Sequence, residues 1–296
     1  MMQPIIRPMK ETDIHDIIEI SRTTWGGHDH LPSIINSWLG NPQCHPYVLE
    51  YEEKVVGVAS IRVIDQGMTG WMEGLRIHES VREKGFGHLL TDYIAKVGEE
   101  LDVKRLRLVT SGDNIAPMKL ASSIYMDQVH TYTVFWKGDI QNIEWRYEKI
   151  KIKKLDSSSI IDMIQAYPDI IETDIPNPVS KSVVFHWDVY EVAPQNIQEI
   201  ASHAKFYFGH EKESAVLIIG GEHSTREGIE WCCTIYANSK DAFLSGLSKN
   251  IKLAKEHNID NLFCIHHPQF ISLYQTVDWL QELNHELKLV LHERPL

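Results

Sequence analysis

Cysteine is scarce in this chain, with four in 296 residues. Cys44, Cys232, Cys233 and Cys264 form no C-x-x-C pair, which argues against both a disulfide framework and a cysteine-based zinc site. Reduced, buried thiols in a cytoplasmic protein are expected. Long apolar runs are missing too. No stretch of about 18 apolar residues occurs, so no membrane span is expected. The opening Met1-Met2-Gln3-Pro4-Ile5-Ile6-Arg7-Pro8-Met9-Lys10 turns charged too soon for a secretory leader. Positive charge is also in deficit, with 29 Lys plus Arg against 41 Asp plus Glu, a formal charge of -12. That excludes a general phosphate-backbone binder, so no nucleic acid partner is expected. A local basic pocket remains compatible with it.

The content that remains is ordinary for a globular chain, 43% hydrophobic and 24% charged. Its length admits two domains. Residues 1–140 alternate strand and helix signals. Thr12 and Asp13 open a helix carrying Ile14, Ile17 and Ile18, and Pro32 opens a second with Ile34, Ile35, Trp38 and Leu39. Residues 47–50, 55–64, 71–77, 105–110 and 131–136 read as strands, and 85–100 and 117–125 as helices. The boundary is expected near residue 140, giving units 1–140 and 141–296. Periodicity returns in the second half at 215–220, 230–237 and 261–265 as strands, with a helix from Ser239 to Glu256. A helix over 271–283 and a strand over 287–292 follow. This repeats the element order of the first half without repeating its sequence, so duplication is a hypothesis about topology.

One segment carries chemistry. The strand Trp71-Met72-Glu73-Gly74-Leu75-Arg76-Ile77 leads through a short loop to Arg82-Glu83-Lys84-Gly85-Phe86-Gly87-His88, where a helix begins. Unbonded N–H groups at a helix start attract anions. Gly85 and Gly87 let a pyrophosphate approach the backbone, and Arg82 and Lys84 add positive charge. The pattern is R-x-x-G-x-G. It is neither the dinucleotide fingerprint nor the P-loop, so nicotinamide and nucleoside triphosphates lose their signature.

In its turn, its element order and its Arg82, Gly85 and Gly87, residues 1–138 resemble the GNAT superfamily of N-acetyltransferases. The resemblance implies an α/β (α+β) fold: a mixed, mostly antiparallel sheet with helices on both faces. It implies acetyl-CoA as co-substrate, with the backbone of Leu75, Arg76 and Ile77 beside the pantetheine arm. The N–H groups of Lys84, Gly85, Phe86, Gly87 and His88 would hold the pyrophosphate. Amine acetylation needs a base for the ammonium and stabilisation of the thioester oxygen. Glu73 is the candidate base; four residues before Ile77, it is expected on the same strand face. Asn114 matches a position the family commonly fills with Asn, at the end of the next strand. The family's usual Tyr position holds Ala121, leaving Tyr125 one turn further on as a weak substitute acid.

Trp25, His28 and Asp29, in Trp25-Gly26-Gly27-His28-Asp29-His30, would line the acceptor side, with Asp29 for an ammonium or imidazole. His28-Asp29-His30 lacks a third ligand, so no metal is expected. Leu31-Pro32, Trp38-Leu39, Glu73-Gly74-Leu75-Arg76 and Ala116-Pro117 together resemble, more narrowly, the two-domain histidine N-acetyltransferase group. That implies a small-molecule amine substrate, histidine or a related amino acid, with Arg76 or Arg62 for its carboxylate. Other acceptors are another amino acid, an aminoglycoside-like amine or a protein N-terminus. The non-enzyme alternative is an acyl-CoA-binding regulatory module. The second half has Ala237-Asn238-Ser239-Lys240-Asp241 where the first has paired glycines. It is expected to be a degenerate domain of the same type, covering the acceptor groove or joining two copies of the chain.

Overall fold

The computed structural model describes residues 3–24, 29–171, 182–225, 228–281, 283 and 287–296. Their described parts divide into two compact units. One holds Met1–Thr110, Asn114–Gln128 and Leu291–Leu296, the other Ser111–Asp113 and Val129–Val290. This differs from a single cut at residue 140. Strand β6 (Asp127–Lys137) goes largely with the second unit because its ladder partner is strand 261–266 of that unit. Residues 291–296 return to the first.

The first unit contains β1 (Ile5–Pro8), α1 (Ile14–Arg22), α2 (Leu31–Gly40), β2 (Cys44–Tyr51), β3 (Lys54–Ile64), β4 (Thr69–Ile77), α3 (Phe86–Glu100), β5 (Arg105–Ser111) and α4 (Ile115–Ser123). Strands β1 to β4 pair antiparallel in chain order, and β5 joins β4 in parallel. Alternation along the strands divides the apolar residues between two cores. Val48 and Val58 pack with Ile17, Ile20, Ile35 and Trp38 of α1 and α2. Their neighbours Leu49, Ala59 and Ile61 pack with Phe86, Leu90 and Ile94 of α3. Helices therefore cover both faces, as a sheet apolar on both sides requires. Beside β5, the Leu296 N–H donates to the Lys104 carbonyl at 3.0 Å. Arg107, fully buried, donates from Nε to Glu293 at 2.5 Å.

The second unit adds β7 (Lys153–Leu155), α5 (Ile160–Ala166), β8 (Ser182–Phe185), β9 (Asp188–Glu191), α6 (Pro194–Ala201), β10 (Lys205–Glu211), β11 (Ser214–Thr225), β12 (Gly228–Ala237), α7 (Lys240–Glu256), β13 (Asn261–His266), α8 (Asp278–Gln281) and β14 (Leu287–Pro295), the last shared with the first unit. Its sheet runs β6-β13-β12-β11-β10-β7, and β8 and β9 form a separate hairpin. Trp231, Cys233 and Ile235 of β12 face α7 within the main core. Cys232, Thr234 and Tyr236 alternate to the other face, where the hairpin lies. There the Val184 N–H donates to Tyr236 Oη at 2.6 Å and Thr234 Oγ1 to the Val184 carbonyl at 2.7 Å. All four cysteines are buried free thiols.

The helix expected over 271–283 is instead a 3-10 run, Pro268–Thr276, followed by the single turn of α8. Side-chain anchors fix that path. Phe270 stacks on Phe243 at 4.5 Å between ring centroids, and Tyr274 Oη meets His266 Nε2 at 2.5 Å. Among the described residues no helix is long and apolar enough to cross a membrane.

Candidate active site

Strand β4 makes the site through two departures from regular pairing. Toward β3, the register shifts so that Glu73 opposes Ser60 while Arg76 opposes Val58. Two residues of β4, Gly74 and Leu75, stand against Ala59, which is a bulge. Gly74 takes φ +70°, and a Cβ there would fall 2.1 Å from Trp38 Cη2. Only glycine admits both the backbone angle and the indole of α2. Toward β5, the parallel ladder holds Thr69, Gly70 and Trp71 and goes no further. Beyond Trp71 the two strands separate into a V.

The bulge corrects one expectation. Four residues apart on a regular strand, Glu73 and Ile77 would share a face. With the extra residue between them, Ile77 opposes Gly57 and turns to the α3 side, while Glu73 and Arg76 come out together on the α1/α2 side. Arg62 lies on that side also. Its Nη2 is 3.3 Å from Glu73 Oε2, with both side chains largely buried.

Asp29 and Arg76, each expected to meet a substrate charge, meet one another. Arg76 donates from Nε and Nη2 to the two Asp29 oxygens, both at 2.8 Å, and from Nη1 to the Leu75 carbonyl at 2.9 Å. Burial pushes the Asp29 carboxyl up. The Arg76 guanidinium and the Leu31 N–H outweigh it and hold the group below the usual carboxylate value. The face thus carries two carboxylates and two guanidiniums in paired array. Trp25 and His28 lie outside the described residues.

The turn after β4 leads into α3 through Gly85, the N-cap, at φ +81°. No side chain caps this helix start and no acidic residue occupies its first turn. Gly85 accepts from the Leu89 N–H, so the Phe86, Gly87 and His88 N–H groups have no intrahelical acceptor. A Cβ on Gly85 would meet nothing within 4 Å, so the space above the turn is open. Phe86 anchors the turn against Tyr51, with ring centroids 5.1 Å apart, and Lys84 Nζ sits 5.1 Å from the Tyr51 ring centroid. Arg82 Nε donates to the Ile77 carbonyl at 3.3 Å, tying the turn to the end of β4. These residues fit a pyrophosphate. Asn114 stands at the N-cap of α4 just past β5, the other arm of the V. Ala121 is fully buried, so no phenol fits there. Tyr125 is 83% exposed with φ +62°, beyond the end of α4 and away from the packed face.

Residues 13–122 match the family model described as Acetyltransferase (GNAT) family. Over these residues the chain is similar to the GNAT acetyltransferases. That similarity spans the bulged strand, the V and the open helix start. Among relatives, a histidine N-acetyltransferase of Oreochromis niloticus is 24% identical over 213 residues, 63% of this chain and 59% of that protein. A histidine N-acetyltransferase of Scomber australasicus is 28% identical over 145 residues, 48% of this chain and 40% of that protein. The chain therefore matches 59% and 40% of the length of these two relatives. A solved tandem GNAT protein from the clavulanic acid biosynthesis pathway aligns with 99% of this chain and 98% of its own length. Its TM-score is 0.58 at 10% identity, a likeness of fold.

The second unit repeats the junction with other residues. Strand β12 leads through Asn238 and Ser239 to α7, whose first turn holds Asp241. Ser239 Oγ accepts from the Ala242 N–H at 3.1 Å, so this helix start is already capped. A cavity of about 620 Å³ lies beside it, lined by His130, Tyr132, Thr234, His266 and His267 among others, and by no Lys or Arg among the described residues. Burial, with His267 adding to it, pushes the His130 imidazole down to about 4, so it is neutral at pH 7. Nothing in this lining suits a pyrophosphate.

Proposed function

We propose that the chain is an acetyl-CoA-dependent N-acetyltransferase acting directly on the amine of a small molecule, with the α-amine of histidine or a related amino acid as the best candidate. The observation that carries this reading is the opening of β4 away from β5 beside an uncapped, glycine-flanked helix start. Arg82, Lys84, Gly85, Phe86, Gly87, His88 and Asn114 would hold the co-substrate, and the β4 edge along Leu75, Arg76 and Ile77 would align its extended arm. Bound there, the thioester supplies the acetyl group and leaves as a thiolate, which needs no strong acid because thiols ionise near pKa ~8.5.

Glu73 would take the proton from the acceptor ammonium, directly or through one water. The neighbouring Arg62 guanidinium orients it. A backbone N–H of Leu75 or Ile77 would polarise the thioester carbonyl. The paired charges on this face support an amino-acid acceptor. A zwitterion brings one charge of each sign, and the face offers carboxylates and guanidiniums alternately. The names of the relatives support the same acceptor.

The test is thiol release from acetyl-CoA across a panel of amines that includes histidine, with Glu73→Gln in parallel. Turnover with histidine, lost in Glu73→Gln while acetyl-CoA still binds, is the expected result. Turnover only with another amine replaces the acceptor. Binding without turnover on any amine favours the regulatory-module reading, which the absence of a phenol on α4 supports.

A further inference from the structure

In the second unit three side chains converge that the acetyl-transfer reading leaves unused. His223 on β11 and Glu230 on β12 are direct cross-strand partners and so share a face. The β8–β9 hairpin lies on that face, and His186 occupies its two-residue turn at φ +56°. The donor atoms of His186, His223 and Glu230 all lie within 4.8 Å of one another. Glu230 is buried and the two imidazoles partly so. The rings of His186 and His223 are 3.8 Å apart between centroids, and Phe263 walls His186 at 5.4 Å. Asp188, next along the hairpin, sets a second carboxylate charge near His223.

We propose that His186, His223 and Glu230 form a zinc site that staples the β8–β9 hairpin to strands β11 and β12. Two imidazoles and one carboxylate are a donor set Zn2+ favours, and three protein ligands leave one position for water. Bond lengths of about 2.0–2.2 Å place tetrahedral donors about 3.4 Å apart. Rotamer adjustment of the two histidines, without movement of the sheet, closes the difference from the present spread. No spacing in the sequence marks these ligands, because they are not close in the chain. These three are brought together by the fold, the hairpin supplying one and two adjacent strands the others.

The full chain, stripped with a chelator and dialysed, is titrated with Zn2+ against a chromophoric competitor, and with Co2+ as a visible-absorption probe. One saturable site per chain is expected, with the d–d bands of four-coordinate Co2+ and a raised melting temperature. Outer-shell partners alone are worth about 10–100-fold in metal affinity. Loss of a direct donor in His223→Ala or Glu230→Gln is therefore expected to weaken Zn2+ binding at least about 100-fold. Glu230→Gln keeps the side-chain shape and serves if the alanine variants fold poorly. A wild-type chain with no saturable site overturns the proposal. So does a site unchanged in the His186→Ala, His223→Ala, Glu230→Gln triple variant.

Discussion

At matching points of the two units, a strand lies beside a parallel neighbour and runs into a long helix, and the two junctions differ in pairing, capping and charge. Strand β4 keeps three paired positions with β5, whereas β12 keeps six with β13. Strand β4 is bulged against β3, whereas β12 pairs with β11 through ten consecutive positions without a shift. The start of α3 is uncapped, free of acidic residues and preceded by a glycine at positive φ. The start of α7 is capped by Ser239 and carries Asp241. The shared element order leaves the parallel ladder incomplete at β4/β5, whereas β13 stays paired with β12 along its whole length. Ladder length, one bulge and the first helical turn are what distinguish the β4–α3 junction from the β12–α7 one.

Five substitutions test that contrast. Glu73→Gln is expected to have the largest effect, lowering kcat by about 100- to 10,000-fold with little change in acetyl-CoA affinity; steady-state kinetics and calorimetry separate the two. Arg107→Met leaves Glu293 largely buried with only the more distant Arg105, 4.0 Å away, so the expected loss in the unfolding of the first unit by urea falls below the about 3–5 kcal/mol of a fully unpaired buried charge. Gly74→Ala forces a methyl into the Trp38 indole at a left-handed backbone angle, with an expected cost of about 1–3 kcal/mol. It should also lower kcat by moving Glu73, and a kcat identical to wild type would argue that the bulge does not place the base. Gly85→Val is expected to raise the acetyl-CoA Kd about 10-fold, the cost of about 1–2 kcal/mol for a side chain at that φ. Asp241→Asn, the smallest change, should leave the acetyl-CoA stoichiometry at one per chain.

The Asp29–Arg76 pair adds a pH signature. The folded-state pKa of Asp29 is held down. Its contribution to stability is therefore present above the unfolded value of about 3.9 and is lost as pH falls through the folded value. In Asp29→Asn that part of the acid limb should flatten, which urea midpoints measured from neutral pH downward will show.

The elements with strong local signals were legible. The stripe of Leu90, Ile94 and Val97, the β-rich run around Val55–Ile64 and the Gly85-Phe86-Gly87 turn all carry their structure in neighbouring residues. The bulge left a trace, since a glycine inside a strand often marks one, and ignoring Gly74 is what put Ile77 on the wrong face. The ion pairs left none. Asp29 and Arg76 lie 47 residues apart, and Arg107 and Glu293 lie 186 apart. Elements β7, α5, β8, β9 and α6, of three to eight residues, are too short for periodicity to register. The donors His186 and His223 were hidden because they lie 37 residues apart, on the β8–β9 turn and on β11, and only the fold brings them together.

The return of residues 291–296 to the first unit sets an order on biosynthesis. Arg107 is made early, but its carboxylate partner is translated 186 residues later. At about 5–20 residues per second, the interval is roughly 10–40 s. For that time the nascent first unit has only Asp65, 3.9 Å from Arg107 Nη1, as counter-charge to that buried guanidinium. The first unit is therefore completed only after nearly all of the second has been translated.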